Sequence, residues 1–136
     1  MNNFPTGQNM NMNSPAAGMY NAGSPFIRLR NFTDGVSVWE LSLSAEVIIG
    51  RQLECDVCLS DLTVSRRHCR IFYRSDIFVE NLSSTNITRH NDIKIIQPQV
   101  LQYGDRIKCG NTVLLVEGLS IPTKGDLNNM TVFLNV

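Results

Sequence analysis

The sequence of 136 residues lacks the features that mark membrane, secreted and nucleic-acid-binding proteins. No apolar run approaches the roughly 20 residues of a transmembrane helix, and the N-terminus has neither the basic start nor the apolar core of a secretory signal. Twelve Lys plus Arg balance twelve Asp plus Glu, so the formal net charge is zero. This balance disfavours general attraction to nucleic acid or anionic membrane, and any bound anion requires a local cluster of charges. We therefore expect a cytoplasmic protein that binds neither nucleic acid nor membrane.

Cysteine is too scarce and too irregularly spaced for a disulfide framework. The four cysteines stand at positions 55, 58, 69 and 109. Because a chain of this length has an adequate core of its own, we expect free thiols. Cys55 and Cys58 are followed by His68 and Cys69, which nominally supplies four zinc ligands. We predict no metal and no cofactor, with a zinc site as the alternative.

Helical periodicity is absent, and short runs rich in β-branched and aromatic residues take its place. These runs predict strands at residues 26–32, 36–43, 47–49, 69–73, 77–80, 93–96, 107–109 and 112–116. Turn residues such as Thr33-Asp34-Gly35 and Gly110-Asn111 separate them. Many short strands without helical crossovers predict an all-β fold, an antiparallel β-sandwich or barrel.

Composition divides the chain into three parts. Residues 1–25 are rich in Asn, Met, Gly and Pro and carry no charged side chain. They bury too little apolar area to offset a chain entropy of about 1–2 kcal/mol per residue, so we expect a disordered tail. Residues 26–118 hold the predicted strands and form the predicted domain. Residues 119–136 are expected to be a C-terminal tail or an extra edge strand.

Three polar stretches flank the predicted strands, at residues 50–51, 65–68 and 81–88. They supply guanidinium groups, hydroxyl donors and loop amides, and the acidic residue close by in sequence is Glu80. A phosphoryl group carries about −1.5 to −2 charges and three acceptor oxygens, which suits an arginine fork and short hydroxyl donors. If the three loops converge, these residues predict a phosphate-binding site.

Four motifs, taken in order, resemble a known family. They are Ile49-Gly50-Arg51, residues 55–61 with 64–68, residues 82–86, and residues 101–107 with Gly110. The chain resembles the forkhead-associated (FHA) domain, a module that binds phosphothreonine peptides in signalling proteins, over about residues 26–118. The resemblance implies a sandwich of about eleven strands, with the peptide lying across loops at one end.

The resemblance implies a role for each candidate site residue. Arg51 would hold the phosphate through its guanidinium, and Ser65 through its hydroxyl. Arg66 would offer its backbone amide, Thr85 its hydroxyl, and Asn86 a hydrogen bond to the peptide backbone. Of the other arginines, those at positions 67, 70, 74 and 89 are interpreted as ordinary surface charges.

The remaining motif residues, Gly50 and His68, would support the binding loops, and His68 would not be a catalyst. The implied function is a non-enzymatic adaptor that binds a phosphothreonine-containing protein, the product of a Ser/Thr kinase. A hydrolase with Ser65 as nucleophile and His68 as base is disfavoured, because the sequence has no Gly-x-Ser-x-Gly elbow.

The sequence departs from the family pattern at three places. Ile87 stands where the family usually carries glycine, and a β-branched residue tolerates positive φ poorly. Asn91-Asp92 replaces Asn-Gly, a milder change. Thr63 stands where some relatives carry an arginine that reads an acidic residue of the peptide. The alternative is therefore a degenerate FHA domain that serves as a structural scaffold without phosphopeptide binding.

Overall fold

The computed structural model describes residues 24–122. The predicted tail at residues 1–25 and the C-terminal segment at residues 119–136 lie almost entirely outside the described residues, so the domain boundaries stay predictions. Residues 24–122 contain eleven strands and no helix, and hence no helix that spans a membrane. The strands are β1 (Phe26–Asn31), β2 (Val38–Ser42), β3 (Val47–Gly50), β4 (Val57–Cys58), β5 (Cys69–Arg74), β6 (Asp76–Asn81), β7 (Arg89–His90), β8 (Ile93–Lys94), β9 (Gln99–Val100), β10 (Arg106–Cys109) and β11 (Thr112–Ser120).

The strands form two sheets of a β-sandwich. The six-stranded sheet has the order β8-β7-β10-β11-β1-β2, and the five-stranded sheet has the order β9-β6-β5-β3-β4. Every pair within residues 24–122 is antiparallel except β3 with β4, which pair in parallel. The all-β sandwich predicted from the sequence is therefore confirmed, and its antiparallel pattern has this one exception.

Alternating residues from both sheets form one hydrophobic core. In β1, Ile27 and Leu29 are fully buried, whereas Arg28 and Arg30 are partly exposed on the other face. Each fully buried aliphatic side chain contributes about 1.5–3 kcal/mol. Strand β3 is buried along its whole length, Val47–Gly50. The end of β3 is therefore a rigid support for the loop that follows it.

The predicted strands match the longer observed strands, and the differences concern the shortest elements. The sequence does not predict β4, β7 or β9, because strands of two residues are too short to show an alternating pattern. The predicted strand at residues 93–96 is reduced to Ile93–Lys94. Asn91 and Asp92 both have positive φ, 50° and 73°, which fits the two-residue turn between β7 and β8. Strand β11 continues to Ser120, past the predicted domain boundary at residue 118.

Candidate functional site

The end of β3 lies against the loop that contains Ser65 and Arg66. The backbone N–H of Arg51 donates a hydrogen bond to the Ser65 carbonyl (3.0 Å). The backbone N–H of Gln52 donates to the Arg66 carbonyl (3.2 Å). This approach requires glycine at position 50, because a Cβ atom on Gly50 would lie 2.1 Å from the Arg66 carbonyl oxygen. The contact brings Arg51 and Ser65 to the same rim of the sandwich.

His68 connects the same loops from inside the protein. Its side chain is fully buried, and its Nδ1 accepts a hydrogen bond from the Ser65 backbone N–H (3.0 Å). Its backbone N–H donates to the Ile49 carbonyl (2.8 Å), and its carbonyl accepts from the Leu82 N–H (2.8 Å). His68 therefore ties β3 to the Ser65 loop and to the loop that follows β6.

The imidazole of His68 is neutral at pH 7. Burial lowers the pKa of His68, and the Asn86 backbone and the charge of Asp61 oppose this effect only in part. Because Nδ1 accepts the Ser65 N–H, the ring proton lies on Nε2. Nε2 is buried and makes no hydrogen bond to the residues that the structure describes. This tautomer suits a residue that supports a loop.

Hydroxyl groups from two loops meet beside Arg51. The Ser65 Oγ lies 2.6 Å from the Ser83 Oγ and 3.4 Å from the Thr85 Oγ1. Asn81 positions this loop, since its Nδ2 donates to the Ser83 carbonyl (2.7 Å). Its Oδ1 accepts from the Thr88 hydroxyl (2.7 Å). The sequence singles out the stretch that holds Asn81 and Ser83 but assigns neither residue a role, because their roles also depend on contacts with the more distant residues Thr88 and Ser65.

The Arg51 guanidinium is held in place without being neutralised. Its Nε donates to the Val64 carbonyl (2.9 Å). Arg51 forms no ion pair within residues 24–122, and its two Nη groups make no hydrogen bond there. The Nε hydrogen bond fixes the plane of the guanidinium, and its two Nη groups are available to an anion.

Asn86 is held by Thr63, the residue next to the one that holds Arg51. The Asn86 Nδ2 donates to the Thr63 carbonyl (2.7 Å). Asp61 holds Thr63 in turn, because its Oδ1 accepts from the Thr63 N–H (2.9 Å) and hydroxyl (2.7 Å). Hydrogen bonds from Thr63 and Thr112 lower the pKa of Asp61. A charged carboxylate with both oxygens engaged therefore fixes the loop whose carbonyls hold Asn86 and Arg51.

The structure brings the five predicted binding residues together along one open cavity of about 520 Å³, here termed the loop groove. These residues are Arg51, Ser65, Arg66, Thr85 and Asn86. Thr63, Arg67 and Ser83 also line the loop groove, although the sequence predicts no binding role for them. No acidic side chain lines it. The groove is therefore a concentration of cations, hydroxyls and amides.

Comparison with protein families identifies the domain that carries this groove. A family model described as the FHA domain matches residues 47–110, which include every predicted site residue. The chain contains a domain of the FHA family. The resemblance inferred from the sequence motifs is therefore confirmed.

Known relatives of this FHA domain include a curated protein and solved structures. Mouse proliferation marker protein Ki-67 is 35% identical over 82 residues, which are 60% of this chain and 2% of Ki-67. A structure from a study of phosphothreonine-dependent FHA domain interactions has a TM-score of 0.62 and 29% identity, and the match covers 68% of this chain and 96% of that one. The FHA domain of an Arabidopsis thaliana hypothetical protein has a TM-score of 0.64 and 26% identity, with 84% and 100% covered. This chain thus matches nearly the whole of the solved domains but a small part of Ki-67.

The FHA domain accommodates Ile87 without backbone strain. Within residues 24–122, the non-glycine residues with positive φ are Ser75, Asn91 and Asp92. Ile87 is not among them, so the expected conflict between a β-branched side chain and a left-handed backbone does not arise. The loop that carries Asn86 therefore keeps its place in the loop groove.

The cysteines of the FHA domain do not form the alternative zinc site. Cys69 is in the core, with its Sγ 3.7 Å from that of Cys109. The hydrogen bond with Cys69, together with burial, raises the pKa of the Cys109 thiol. The thiols of Cys55 and Cys58 donate to loop carbonyls. Among the described residues, no three His, Cys, Asp or Glu side chains are grouped to hold a metal ion.

Ser65 and His68 are not arranged as a nucleophile and its base. The imidazole Nδ1 accepts the backbone N–H of Ser65 rather than its hydroxyl. The Ser65 hydroxyl instead contacts the hydroxyls of Ser83 and Thr85. A general base must reach the proton that it removes. The geometry therefore opposes the hydrolase alternative, and the FHA domain is a non-catalytic module.

Proposed function

We propose that this FHA domain acts as a non-enzymatic signalling adaptor that binds phosphothreonine-containing peptides in the loop groove. The observation that carries the proposal is the unpaired Arg51 guanidinium beside the hydroxyls of Ser65 and Thr85, in a groove without acidic side chains. The FHA domain with 29% identity was studied for phosphothreonine-dependent interactions, which supports the same ligand class here.

The donors of the loop groove match the needs of a phosphate dianion. The Nη groups of Arg51 carry charge and directional N–H bonds, and Ser65 and Thr85 add hydroxyl donors. The backbone N–H of Arg66 has no partner among the described residues and is free to donate. Hydrogen bonds to charged groups contribute about 1.5–3 kcal/mol each. After the cost of ordering the peptide, we expect micromolar affinity, about −8 kcal/mol.

Asn86 supplies a contact to the peptide backbone rather than to the phosphate. Its Nδ2 is engaged by the Thr63 carbonyl (2.7 Å), whereas its Oδ1 has no partner within residues 24–122. A carboxamide fixed on one side presents a carbonyl acceptor at a defined position. Asn86 therefore accepts a peptide N–H next to the phosphothreonine.

Fluorescence anisotropy with an oriented phosphothreonine peptide library tests the proposal on the full chain. We expect binding of phosphorylated peptides, loss of binding without the phosphate, and strong weakening in Arg51→Ala. Arg74→Ala is the matched control, because Arg74 is also unpaired but lies over the Phe72 ring, at 5.3 Å, outside the loop groove. Equal affinity for phosphorylated and plain peptides would reject the adaptor function and favour the scaffold alternative. The proposal also holds that a Ser/Thr kinase phosphorylates the bound protein and that binding takes place in the cytoplasm.

A further inference from the structure

The cations of the FHA domain fall into two groups. Arg28, Arg30, Arg70 and Arg106 each pair with at least one carboxylate. Arg51, Arg66 and Arg67 of the loop groove have no such partner, and neither do Arg89, Lys94 and Lys108. The last three line a second cavity, of about 320 Å³, here termed the basic groove. No acidic side chain lines either groove, and six of the seven unpaired cations within residues 24–122 lie in the two grooves, the seventh being Arg74 over the Phe72 ring.

The three cations of the basic groove lie in one row across adjacent strands. Lys108 on β10 is directly opposite Arg89 on β7, and Arg89 is directly opposite Lys94 on β8. Directly opposite residues share one face of a sheet, with Cβ atoms about 4.5–5.5 Å apart, and like charges there are destabilising. Arg89 donates a hydrogen bond to the Asp92 carbonyl (3.0 Å), but no carboxylate pairs with any member of the row. The row therefore opposes folding unless an anion occupies it.

The basic groove continues from the loop groove. Thr63, Thr85 and Asn86 line both cavities. An extended peptide advances about 3.3 Å per residue, so a peptide that contacts Asn86 reaches the cation row within a short distance along its chain. Thr63, between the grooves, is neutral, and its hydroxyl already bonds Asp61 and the Asn111 N–H. In the basic groove, beyond Thr63 and Asn86, the positive charge therefore comes from the row.

We propose that the row formed by Lys94, Arg89 and Lys108 is a second anion site for the peptide bound in the loop groove. Its ligand is a carboxylate or a second phosphate on the same peptide, because both offer oxygen acceptors and negative charge to a cluster of cations. The inference rests on the proposed function, since the phosphothreonine brings the peptide to this edge. It makes the adaptor selective for acidic or multiply phosphorylated segments.

The test compares three peptide series on the full-length chain by fluorescence anisotropy. One phosphothreonine peptide has neutral flanks, a second series places glutamate at each flanking position in turn, and a third places phosphoserine at the position that responds most. Each series is measured with the wild type, with the double variant Lys94→Gln/Lys108→Gln, and with Arg74→Gln as the matched charge-loss control. Thermal melting checks that every variant is folded.

We expect one or two glutamate positions to raise wild-type affinity about fivefold, the size of two exposed ion pairs. The double variant should lose that gain and keep its affinity for the neutral peptide, whereas Arg74→Gln should keep both. A larger gain from phosphoserine identifies multiple phosphorylation as the source of the anion, and an equal gain identifies acidic sequence. Both outcomes support the second anion site.

Three results would overturn the second anion site. The first is a wild type that binds the neutral phosphothreonine peptide but gains nothing from acidic flanks, which leaves the proposed function intact. The second is a gain that survives in the double variant. The third, measured by adding duplex DNA and anionic vesicles as further probes, is a double variant that loses binding to either of them while its peptide preference is unchanged. Failure of the wild type to bind even the neutral peptide would reject the proposed function and this site together.

Discussion

The two halves of the six-stranded sheet treat positive charge in opposite ways. On β11-β1-β2, Arg28 and Arg30 share the carboxylate of Glu117, and Arg28 also pairs with Glu40 directly opposite on β2. On β8-β7-β10, the cation row has no carboxylate. The same residue types therefore support folding on one half and remain available on the other. In this domain, therefore, cations that pair with carboxylates stabilise the fold, and cations without such a partner are available to a ligand.

The contrast is sharpest on β10, where neighbouring outward positions differ. Arg106 pairs with Asp92 (3.1 Å), whereas Lys108 on the same face has no carboxylate partner. Arg106 lies outside the basic groove and Lys108 lines it. Along β10, the cation outside the basic groove is therefore paired and the cation inside it is unpaired, as a site for an anionic ligand requires.

The largest expected effect extends the comparison to the loop groove. Arg51→Ala should weaken phosphopeptide binding about 10- to 150-fold, the value of a charged hydrogen bond of about 1.5–3 kcal/mol. Its unfolding free energy should fall by about 0.5–1.5 kcal/mol, because Arg51 loses one hydrogen bond, to the Val64 carbonyl, and no ion pair. Arg30→Ala should lose the stability of its pair with Glu117 and keep its phosphopeptide affinity, because Arg30 lies outside the loop groove. Anisotropy and urea unfolding of both variants measure this, and a destabilised Arg51→Ala that still binds would break the comparison.

Acidification should destabilise the loop groove, through His68, and the β11-β1-β2 half of the sheet, through Glu117, in different pH windows. Burial lowers the pKa of His68 below its ordinary 6.5, so the unfolded chain binds the proton more readily and stability falls as pH drops below about 6.5. Hydrogen bonds from Arg30 and, more weakly, Arg28 lower the pKa of Glu117 despite burial. Its stabilisation is therefore present above about pH 4.5 and is lost as pH falls through the folded-state pKa. Urea unfolding across pH, with NMR of the His68 ring, measures both windows.

The control for these windows is one single variant. Glu117→Gln should remove the acidic window and leave the His68 window in place. A folded-state titration of the His68 ring above its ordinary pKa would contradict the assigned sign.

A smaller effect is expected when the β11-β1-β2 half of the sheet loses the Glu117 carboxylate that Arg28 and Arg30 share. Glu117→Gln should cost about 1 kcal/mol of unfolding free energy, since exposed ion pairs contribute about 0.2–1 kcal/mol each. High salt should reduce this cost, because it screens surface charges. Phosphopeptide affinity should stay at the wild-type value. Urea unfolding at low and high salt provides the measurement, and a cost that does not depend on salt would show that packing rather than charge is responsible.

The smallest expected effect has the opposite sign. Lys108→Gln should raise the unfolding free energy by about 0.2–0.5 kcal/mol, because it removes a like charge directly opposite Arg89. Arg106→Gln is the matched control on the same strand and should not stabilise the fold, since Arg106 is paired. A loss of stability in Lys108→Gln would mean that the row is structural.

The parts of the fold that the sequence predicts are those with a local signal. The buried strand Val47–Gly50 and the alternating strand β1 can be predicted from the sequence, because their apolar content or alternation extends over several residues. The parallel pairing of β3 with β4 cannot be predicted from the sequence, because β4 has only the two residues Val57–Cys58 and its pairing depends on how the core packs. The turn at Asn91-Asp92 is legible because these residue types tolerate positive φ.

The candidate site divides in the same way. Arg51, Ser65 and Asn86 belong to motifs that are contiguous in sequence, so sequence analysis finds them. Ser83 is chosen by its contact with Ser65, 18 positions away, and no local pattern signals it. Arg89 is interpreted from the sequence as an ordinary surface charge, because its two like-charged neighbours, Lys94 and Lys108, are brought opposite it only by the strand pairing.

The sequence by itself determined the longer strands, the turns between them and the loop residues that belong to the FHA pattern, because these properties depend on residue types at short spacing. Only the tertiary structure decided that β10 lies beside β7, and that Lys108 and Arg89 therefore face each other across a gap in sequence. Strand order and register depend on how the whole core packs, so a row of charges built from three strands exists only once the sandwich has formed.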